Sequence, residues 1–368
     1  MPTVLVSIVS YQTIPNILLI KELPPADRYL FITTREMEDE GVTNNIINVC
    51  NVPLHKTTIL PVLADSFNNI EDRLSDLNLK GNNEYLLNIT GGMKPTAIAV
   101  YNFFVTRFNA KVYYFTIGTN TYKQLVPRSD ETPIEVQTNL LLHEYFKAFG
   151  IRIVNPDTTN APLMPPDFTE KIYQQRLLDT PEIRNLIKYK TAYEKERGPN
   201  SLPNLPLNDL PPELPGLNTF LTHALQFKTR QPNILNSREI FYLIGGWVEE
   251  YIYYLVKEKY QLPDTHIGLN VYIERKEVKN ELDIVYVRNN TLYVIECKLR
   301  LYQNYTTEES LYKLSSLRNP QNFGLETKGY LVSGYRFRDG FNQIPPKFKR
   351  RADAVNIKIL DSENLHEL

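Results

Sequence analysis

Residues 281–299, ELDIVYVRNNTLYVIECKL, read as two apolar-rich strands around a pair of asparagines. Asn289 and Asn290 suit a two-residue turn, because Asn tolerates the positive φ that tight hairpins demand. With that loop, Arg288 faces Thr291, Asp283 falls opposite Glu296, and Glu281 falls opposite Lys298. Side chains alternate faces along a strand, so Glu296 and Lys298 share one face while Cys297 points to the other. Directly opposed residues bring their Cβ atoms to roughly 4.5–5.5 Å, where like charges destabilise. Two facing carboxylates therefore need a proton or a cation between them. Such oxygens suit magnesium or manganese, and a lysine beside them suits developing negative charge. The competing reading is a solvated sheet face, with Glu281 and Lys298 as a cross-strand ion pair and the two acids in water.

The rest of the chain narrows the choice. At 368 residues it has room for two or more cores, with about 100–200 residues per domain as the guide. A net charge of −1 means that any nucleic-acid contact must come from a local basic patch. No apolar run reaches the ~20 residues of a membrane span, and MPTVLVSIVS lacks the basic start and long apolar core of a signal peptide. The expectation is a cytoplasmic protein with no membrane contact. Cys50 and Cys297 are too few for a disulfide framework or a cysteine zinc site, which fits a reducing compartment. The histidines (His55, His143, His223, His266 and His366) show no metal-ligand spacing. GPNSLPNLPLNDLPPELPGL, 198–217, is too proline-dense for a regular helix or central strand and reads as a connector.

In the N-terminal half, strands are expected at 3–9, 28–34, 44–52, 84–90 and 111–117, with helices over IPNILLIKEL, 59–79 and 94–108. Near-continuous apolar strands alternating with amphipathic helices predict an open α/β fold, a largely parallel sheet covered on both faces. Ligands of such sheets bind beyond the carboxyl ends of the strands. Two of those ends are small and polar: SYQTIPN, Ser10 to Asn16, and TGGMK, Thr90 to Lys94. Gly91-Gly92 permits close backbone approach, the following helix offers free N–H groups, and Lys94 adds a charge, a design suited to phosphate. It is neither GxGxxG nor GxxxxGK[ST], so dehydrogenase and P-loop chemistry find no support.

SYQTIPNILLIKE and NITGGMKPTAIAVYNFF together resemble the two ligand motifs of a CARF domain, the Rossmann-like sensor of type III CRISPR systems that binds cyclic oligoadenylates. The resemblance implies ligand contacts at Ser10, Gln12, Thr13, Asn16, Thr90, Gly91, Gly92, Met93 and Lys94. Met93 departs from the small residue usual between the second glycine and the lysine, while the two glycines and Lys94 match.

In the C-terminal half, REIFYLIGGWVEEYIYYLVKEKY, 238–260, is a long helix or helix pair entered through Gly245-Gly246. It is followed by a strand at 267–275, the charged hairpin, a helix at 309–317 and a strand at 328–334. That order, with Asp283, Glu296 and Lys298 on the hairpin, resembles the PD-(D/E)xK nuclease fold, Leu282 standing in place of the proline. A helix glutamate after a glycine often joins that site; Glu249 after GGWV is the better match, Glu250 the fallback. The resemblance implies Asp283 and Glu296 as metal ligands, with the Cys297 backbone carbonyl as a further one and its thiol in the core. Lys298 would orient the attacking water or stabilise the phosphorane charge. Lys276, Lys279, Arg300, Arg318, Lys328, Arg336, Arg338, Lys347, Lys349, Arg350 and Arg351 supply basic groups for backbone contacts, with Tyr302, Tyr305 and Tyr335 placed to stack on unpaired bases.

The whole resembles the CRISPR ancillary nucleases switched on by cyclic tetra-adenylate: a CARF sensor over 1–145, a partly helical, proline-rich connector over 146–235 and a nuclease domain over 236–368. It implies an allosteric homodimer with Mn2+ or Mg2+, acting in antiviral defence, that cleaves single-stranded DNA and RNA and nicks supercoiled DNA. Two alternatives stay open: a constitutive repair or restriction nuclease, and a ligand-gated regulator whose nuclease fold only binds.

Overall fold

The apolar N-terminal segments fold as the first of two sheets. The computed structural model describes residues 1–127, 133–154, 161–198, 202–317, 323–324 and 327–368. Strands β1 (Thr3–Ile8), β2 (Arg28–Thr33), β3 (Thr57–Pro61), β4 (Glu84–Asn88) and β5 (Lys111–Thr116) lie parallel in the order β3-β2-β1-β4-β5. Antiparallel β6 (Thr121–Val126) and β7 (Ile134–Glu135) extend that sheet past β5. The connecting helices are α1 (Ile14–Glu22), α2 (Arg35–Asp39), α3 (Val42–Cys50), α4 (Phe67–Ser75) and α5 (Lys94–Phe108). Leu5, Phe31, Ile17 and Ile46 belong to one buried cluster, while Val6, Leu87, Ile70 and Phe104 belong to another, as a sheet covered on both faces requires.

Two expected elements are corrected. The segment expected as a strand over 44–52 falls in helix α3, which ends at Cys50: Val42, Ile46 and Val49 bury at helical spacing, between Gly41 and Asn51, both at positive φ. A short apolar run does not by itself distinguish the two periods. The edge strand is instead β3, taken from the segment expected as helix over 59–79; α4 begins only after Ser66, whose hydroxyl accepts from Asn69 N–H at 3.3 Å.

The second sheet is mixed. Its strands are β11 (Ile267–Arg275), β12 (Val278–Arg288), β13 (Thr291–Lys298), β14 (Lys328–Ser333) and β15 (Ile357–Leu360), in the order β15-β14-β13-β12-β11-β8. β8 (Arg152–Ile153), which follows α6 (Leu142–Ala148), pairs antiparallel with β11, so the chain leaving the first sheet enters the edge of the second directly. Helices α10 (Ser237–Phe241), α11 (Trp247–Lys259), α12 (Tyr305–Leu317) and α13 (Pro346–Ala354) cover it.

Residues expected only to connect form part of this second body. α7 (Pro166–Gln175), α8 (Pro181–Arg197), the short pair β9 (Leu205–Pro206) with β10 (Ile234–Leu235), and α9 (Leu217–Thr219) lie here. Ile172, Leu186, Leu205, Leu214 and Leu217 bury in one cluster with Trp247, Ile252, Ile284 and Ile295. The proline-dense stretch thus packs with the second sheet, although Pro199, Asn200 and Ser201 lie outside the described residues.

The two sheets meet at the charged hairpin. The side chain of Asn290 accepts from Leu140 N–H at 2.9 Å and donates to Asn120 Oδ1 and Thr138 O, each at 2.8 Å. A second contact joins Lys276 Nζ to Glu40 Oε1 at 2.7 Å, beside a cavity of about 330 Å3 lined by Tyr11, Glu40, Arg275 and Lys276.

Candidate functional site

The hairpin turn forms as its sequence requires, with Asn289 at φ 49° and Asn290 at φ 57°. The expected register holds from Arg288↔Thr291 to Ile284↔Ile295. There the ladder ends. Asp283 does not pair with Glu296 across it; its Oδ2 accepts the Cys297 backbone N–H at 2.7 Å. Pairing lapses on the other side too, passing from Leu269↔Ile284 to Val271↔Leu282 over Asn270. Asn270 has a left-handed φ of 52°, a conformation that Asn visits more readily than most residues. Glu281 pairs with Tyr272, and no Glu281–Lys298 ion pair occurs among the described residues. The solvated-face reading therefore fails in both parts: that pair is absent, and Asp283 and Glu296 are buried, 8% and 4% exposed.

The lysines go to Glu296. Lys298 Nζ donates to Oε1 at 2.7 Å and Lys313 Nζ, from α12, donates to Oε2 at 2.6 Å. Lys313 was not legible as a site residue, because nothing in SLYKLSSL distinguishes it from an ordinary helix lysine. Asp283 has no such partner. Burial, and then the charge of Glu296, push its pKa up to about 7 against the pull of Lys298 and Lys313. Burial pulls the Lys298 ammonium down, but Glu296 and Asp283 outweigh it and hold it above the ordinary value.

The two helix glutamates separate cleanly. Glu250 turns toward α7, its carboxylate accepting Leu163 N–H at 2.5 Å and Met164 N–H at 3.1 Å. Glu249 faces the hairpin: its Oε2 is buried with no hydrogen-bond partner. Burial first, then Asp283, push the Glu249 carboxyl well above the ordinary range, while a hydrogen bond from Asn270 pulls the other way. Asn270 thus also joins this neighbourhood unannounced by any motif. Three acids, one with an unsatisfied buried oxygen, converge around Lys298.

Among the described residues no three His, Cys, Asp or Glu side chains are close enough to hold a metal ion as they stand. Both oxygens of Glu296 are taken by lysines in this arrangement. The donors nevertheless suit a hard divalent ion: carboxylates short of positive charge, and an orphaned oxygen on Glu249. A strand residue's N–H and C=O point to the same edge, so the Cys297 carbonyl faces the Asp283 gap. The Cys297 thiol packs in the apolar core, and burial raises its pKa well above the ordinary value.

Several expected nucleic-acid contacts are already engaged. Arg300 at 3.8 Å and Arg176 at 4.8 Å from the ring centroid already engage Tyr335, so it is not a free stacking platform. Lys276 pairs with Glu40, Arg300 with Asp179, Arg336 with Glu363, Arg338 with buried Asp361, and Lys347 and Arg351 with Glu308. Lys328 lies over the Tyr293 ring at 5.5 Å. Lys279, Lys349 and Arg350 have no ion-pair partner among the described residues, and Arg318 lies outside them. Tyr302 and Tyr305 are exposed, as is Tyr312 on α12.

In the first domain, the parallel pairing of β1 with β4 sets the two loops side by side at the sheet's carboxyl edge. Gly91 and Gly92 allow this contact. A Cβ on Gly91 would lie 2.6 Å from Ile8 O, and one on Gly92, at φ +85°, would lie 2.5 Å from Ile8 Cγ2. Asn16 is buried, 1% exposed; it donates to Ile8 O at 2.9 Å and accepts from Asn88 at 2.8 Å. Thr90 joins the same knot, donating to Asn88 Oδ1 at 2.6 Å and accepting Phe115 N–H at 2.8 Å. Both residues brace the loops from behind. Ser10 and Gln12 are half-buried, Thr13 is buried with its hydroxyl unpartnered, and Gly92, Met93 and Lys94 are exposed where α5 begins.

Comparison with known proteins agrees with both halves. Residues 4–145 match the model of the Card1 CARF domain, and residues 237–368 that of the Card1-like endonuclease domain. The chain is a CARF domain fused to a Card1-like endonuclease domain. Protein VC1899 from Vibrio cholerae superposes with a TM-score of 0.73 at 20% identity, covering 99% of this chain and 95% of its own. Can2 from Sulfobacillus thermosulfidooxidans, solved with cyclic tetra-adenylate, gives 0.69 at 18%, covering 99% and 96%. A type III CRISPR defence DNA nuclease activated by cyclic oligoadenylate gives 0.56 at 15%, covering 96% of this CARF–endonuclease chain and 52% of the other. At these identities the likeness is one of fold. No curated protein matches by sequence. Among the described residues no helix is long and apolar enough to cross a membrane.

Proposed function

We propose that this CARF nuclease is a cyclic-tetra-adenylate-activated phosphodiesterase of type III CRISPR defence, cutting single-stranded DNA and RNA with Mn2+ or Mg2+ and nicking supercoiled DNA. The observation that carries the reading is the group of three buried or half-buried carboxylates, Asp283, Glu296 and Glu249, around Lys298, with too little positive charge of its own. Asp283, Glu296 and the Cys297 carbonyl would hold the ion, and Glu249 would complete the set directly or through water. When bound, the ion would polarise the scissile phosphate and activate water. Lys298 stays protonated and supplies charge against the developing phosphorane. Asn270 orients Glu249 toward the site.

The activator reading rests on the paired loops. The N-terminus of α5, with Gly92 and Lys94, presents N–H groups and charge to a phosphate. Ser10, Gln12 and Thr13 line the neighbouring loop. Exposed Leu63, Phe67, Met93 and Ile98 cluster around the starts of α4 and α5, where Thr96 Oγ1 donates to Ala64 O at 2.7 Å. An apolar patch beside a ligand loop suits a second copy, and a two-fold symmetric ring suits a homodimer. The test is binding of cyclic tetra-adenylate by calorimetry, with the protein's mass measured in parallel. A stoichiometry of one ring per two chains is expected; no binding overturns the activator reading.

A further inference from the structure

Both oxygens of Glu296 are occupied by ammonium groups, and the two lysines are not equivalent. Lys298 projects from β13 among the carboxylates, and its charge acts on both Asp283 and Glu249. Lys313 comes from α12 and donates only to Glu296 Oε2; its charge also acts on Asp283, and its side chain is 35% exposed against 41% for Lys298. Its helix displays Tyr305 and Tyr312, seven residues apart on one exposed face that lies about a quarter-turn round from Lys313; Arg351 lies over the Tyr312 ring at 6.0 Å, and exposed Tyr305 offers a base a stacking surface.

We propose that Lys313 is a stand-in cation of the metal-free site, neutralising Glu296 in the resting protein and passing to a substrate phosphate when a divalent ion takes its place. This rests on the nuclease reading above. Glu296 is almost fully buried and sits beside Asp283, so its charge requires a counter-ion before metal arrives. Lys298 is unsuited to leave, since it stands among the three acids and its charge acts on each of them. Lys313 is held to one oxygen by a flexible stem, enters from a different element than the carboxylates, and has solvent beside it as Lys298 does. Glu296 freed on that side offers the ion an oxygen, and the released ammonium lies beside the tyrosine-bearing face of α12.

The proposal predicts opposite signs for two properties of one variant. Mn2+ binding to full-length Lys313→Ala, measured by calorimetry without nucleic acid, should tighten by up to about fivefold, because a competing, partly exposed ion pair is removed. The same variant should show a several-fold higher KM for a single-stranded oligonucleotide in Mn2+ and activator. Lys313→Arg should restore KM and bind Mn2+ as the natural protein does. Unchanged or weaker Mn2+ binding in Lys313→Ala, beside normal binding in the natural protein, would make Lys313 a support of the ligand set and overturn the proposal. Unchanged KM would remove its phosphate role and overturn it equally. Failure of the natural protein to bind Mn2+ would instead refute the nuclease reading on which the proposal rests.

Discussion

Replacing Asp283 with Asn should stabilise the metal-free protein at alkaline pH while abolishing cleavage. Asp283 holds its proton up to about pH 7 in the fold, against an ordinary 3.8. Between those values the folded state keeps a proton that the unfolded chain has released, so stability falls as pH rises through the window. Each pH unit of it costs about 1.4 kcal/mol, which makes the ionised carboxylate at pH 8 a burden of up to ~4 kcal/mol on the fold. Asn is neutral throughout, and its carbonyl can still accept the Cys297 N–H that Asp283 accepts at 2.7 Å. Urea unfolding at pH 5 and pH 8, with metal chelated, should show the natural protein losing stability over that interval and Asp283→Asn losing less. Added Mn2+ should reverse the order, since only the natural protein gains from binding. If Asp283→Asn is the less stable protein at pH 8 without metal, Asp283 is not a strained, ionised carboxylate and the electrostatic account fails.

Lys94→Ala, and Gly92→Leu with its Cβ 2.5 Å from Ile8 Cγ2, should weaken cyclic tetra-adenylate binding and leave Mn2+ affinity unaltered by calorimetry; unchanged activator affinity in both would refute the phosphate cradle. Glu250→Ala should cost roughly 1–3 kcal/mol in urea unfolding through two unsatisfied backbone N–H groups, with Mn2+ affinity preserved; a lost metal site would mean that Glu250, not Glu249, serves it. Substrate should tighten activator binding to Glu296→Gln protein, typically ~5–150-fold for coupled sites, and Asn290→Ala should reduce that factor because Asn290 ties the hairpin to the sensor. Equal activator affinities with and without single-stranded DNA would show the two sites to be uncoupled.

The strands and helices that bury a clear periodicity were legible from sequence, as was the hairpin turn, whose two asparagines accept positive φ. The misreading at 44–52 came from a run too short to separate a strand from a helix, and it displaced the edge strand into the next segment. At the site, side-chain alternation brought Asp283, Glu296 and Lys298 to one neighbourhood, but register alone overstated the geometry. The ladder stops at Ile284↔Ile295, and Asn270 interrupts the other neighbour at the same level. Choosing between Glu249 and Glu250 required tertiary contacts, because adjacent helix residues differ only in what packs against them. Lys313 and Asn270 reach the site from elements whose local patterns carry no chemistry. The route between domains was also hidden: the proline-dense stretch looked like the joint, whereas α6 and β8 lead directly into the edge of the second sheet.

The central claim is that one chain couples an oligoadenylate sensor to a metal-dependent nuclease. Its most direct test incubates the purified protein with end-labelled single-stranded DNA and RNA in Mn2+, with and without cyclic tetra-adenylate, beside Glu296→Gln. The account predicts cleavage by the natural protein only when ring and metal are both present, and none by the variant. Equal cleavage without the ring, or cleavage that survives Glu296→Gln, would contradict it.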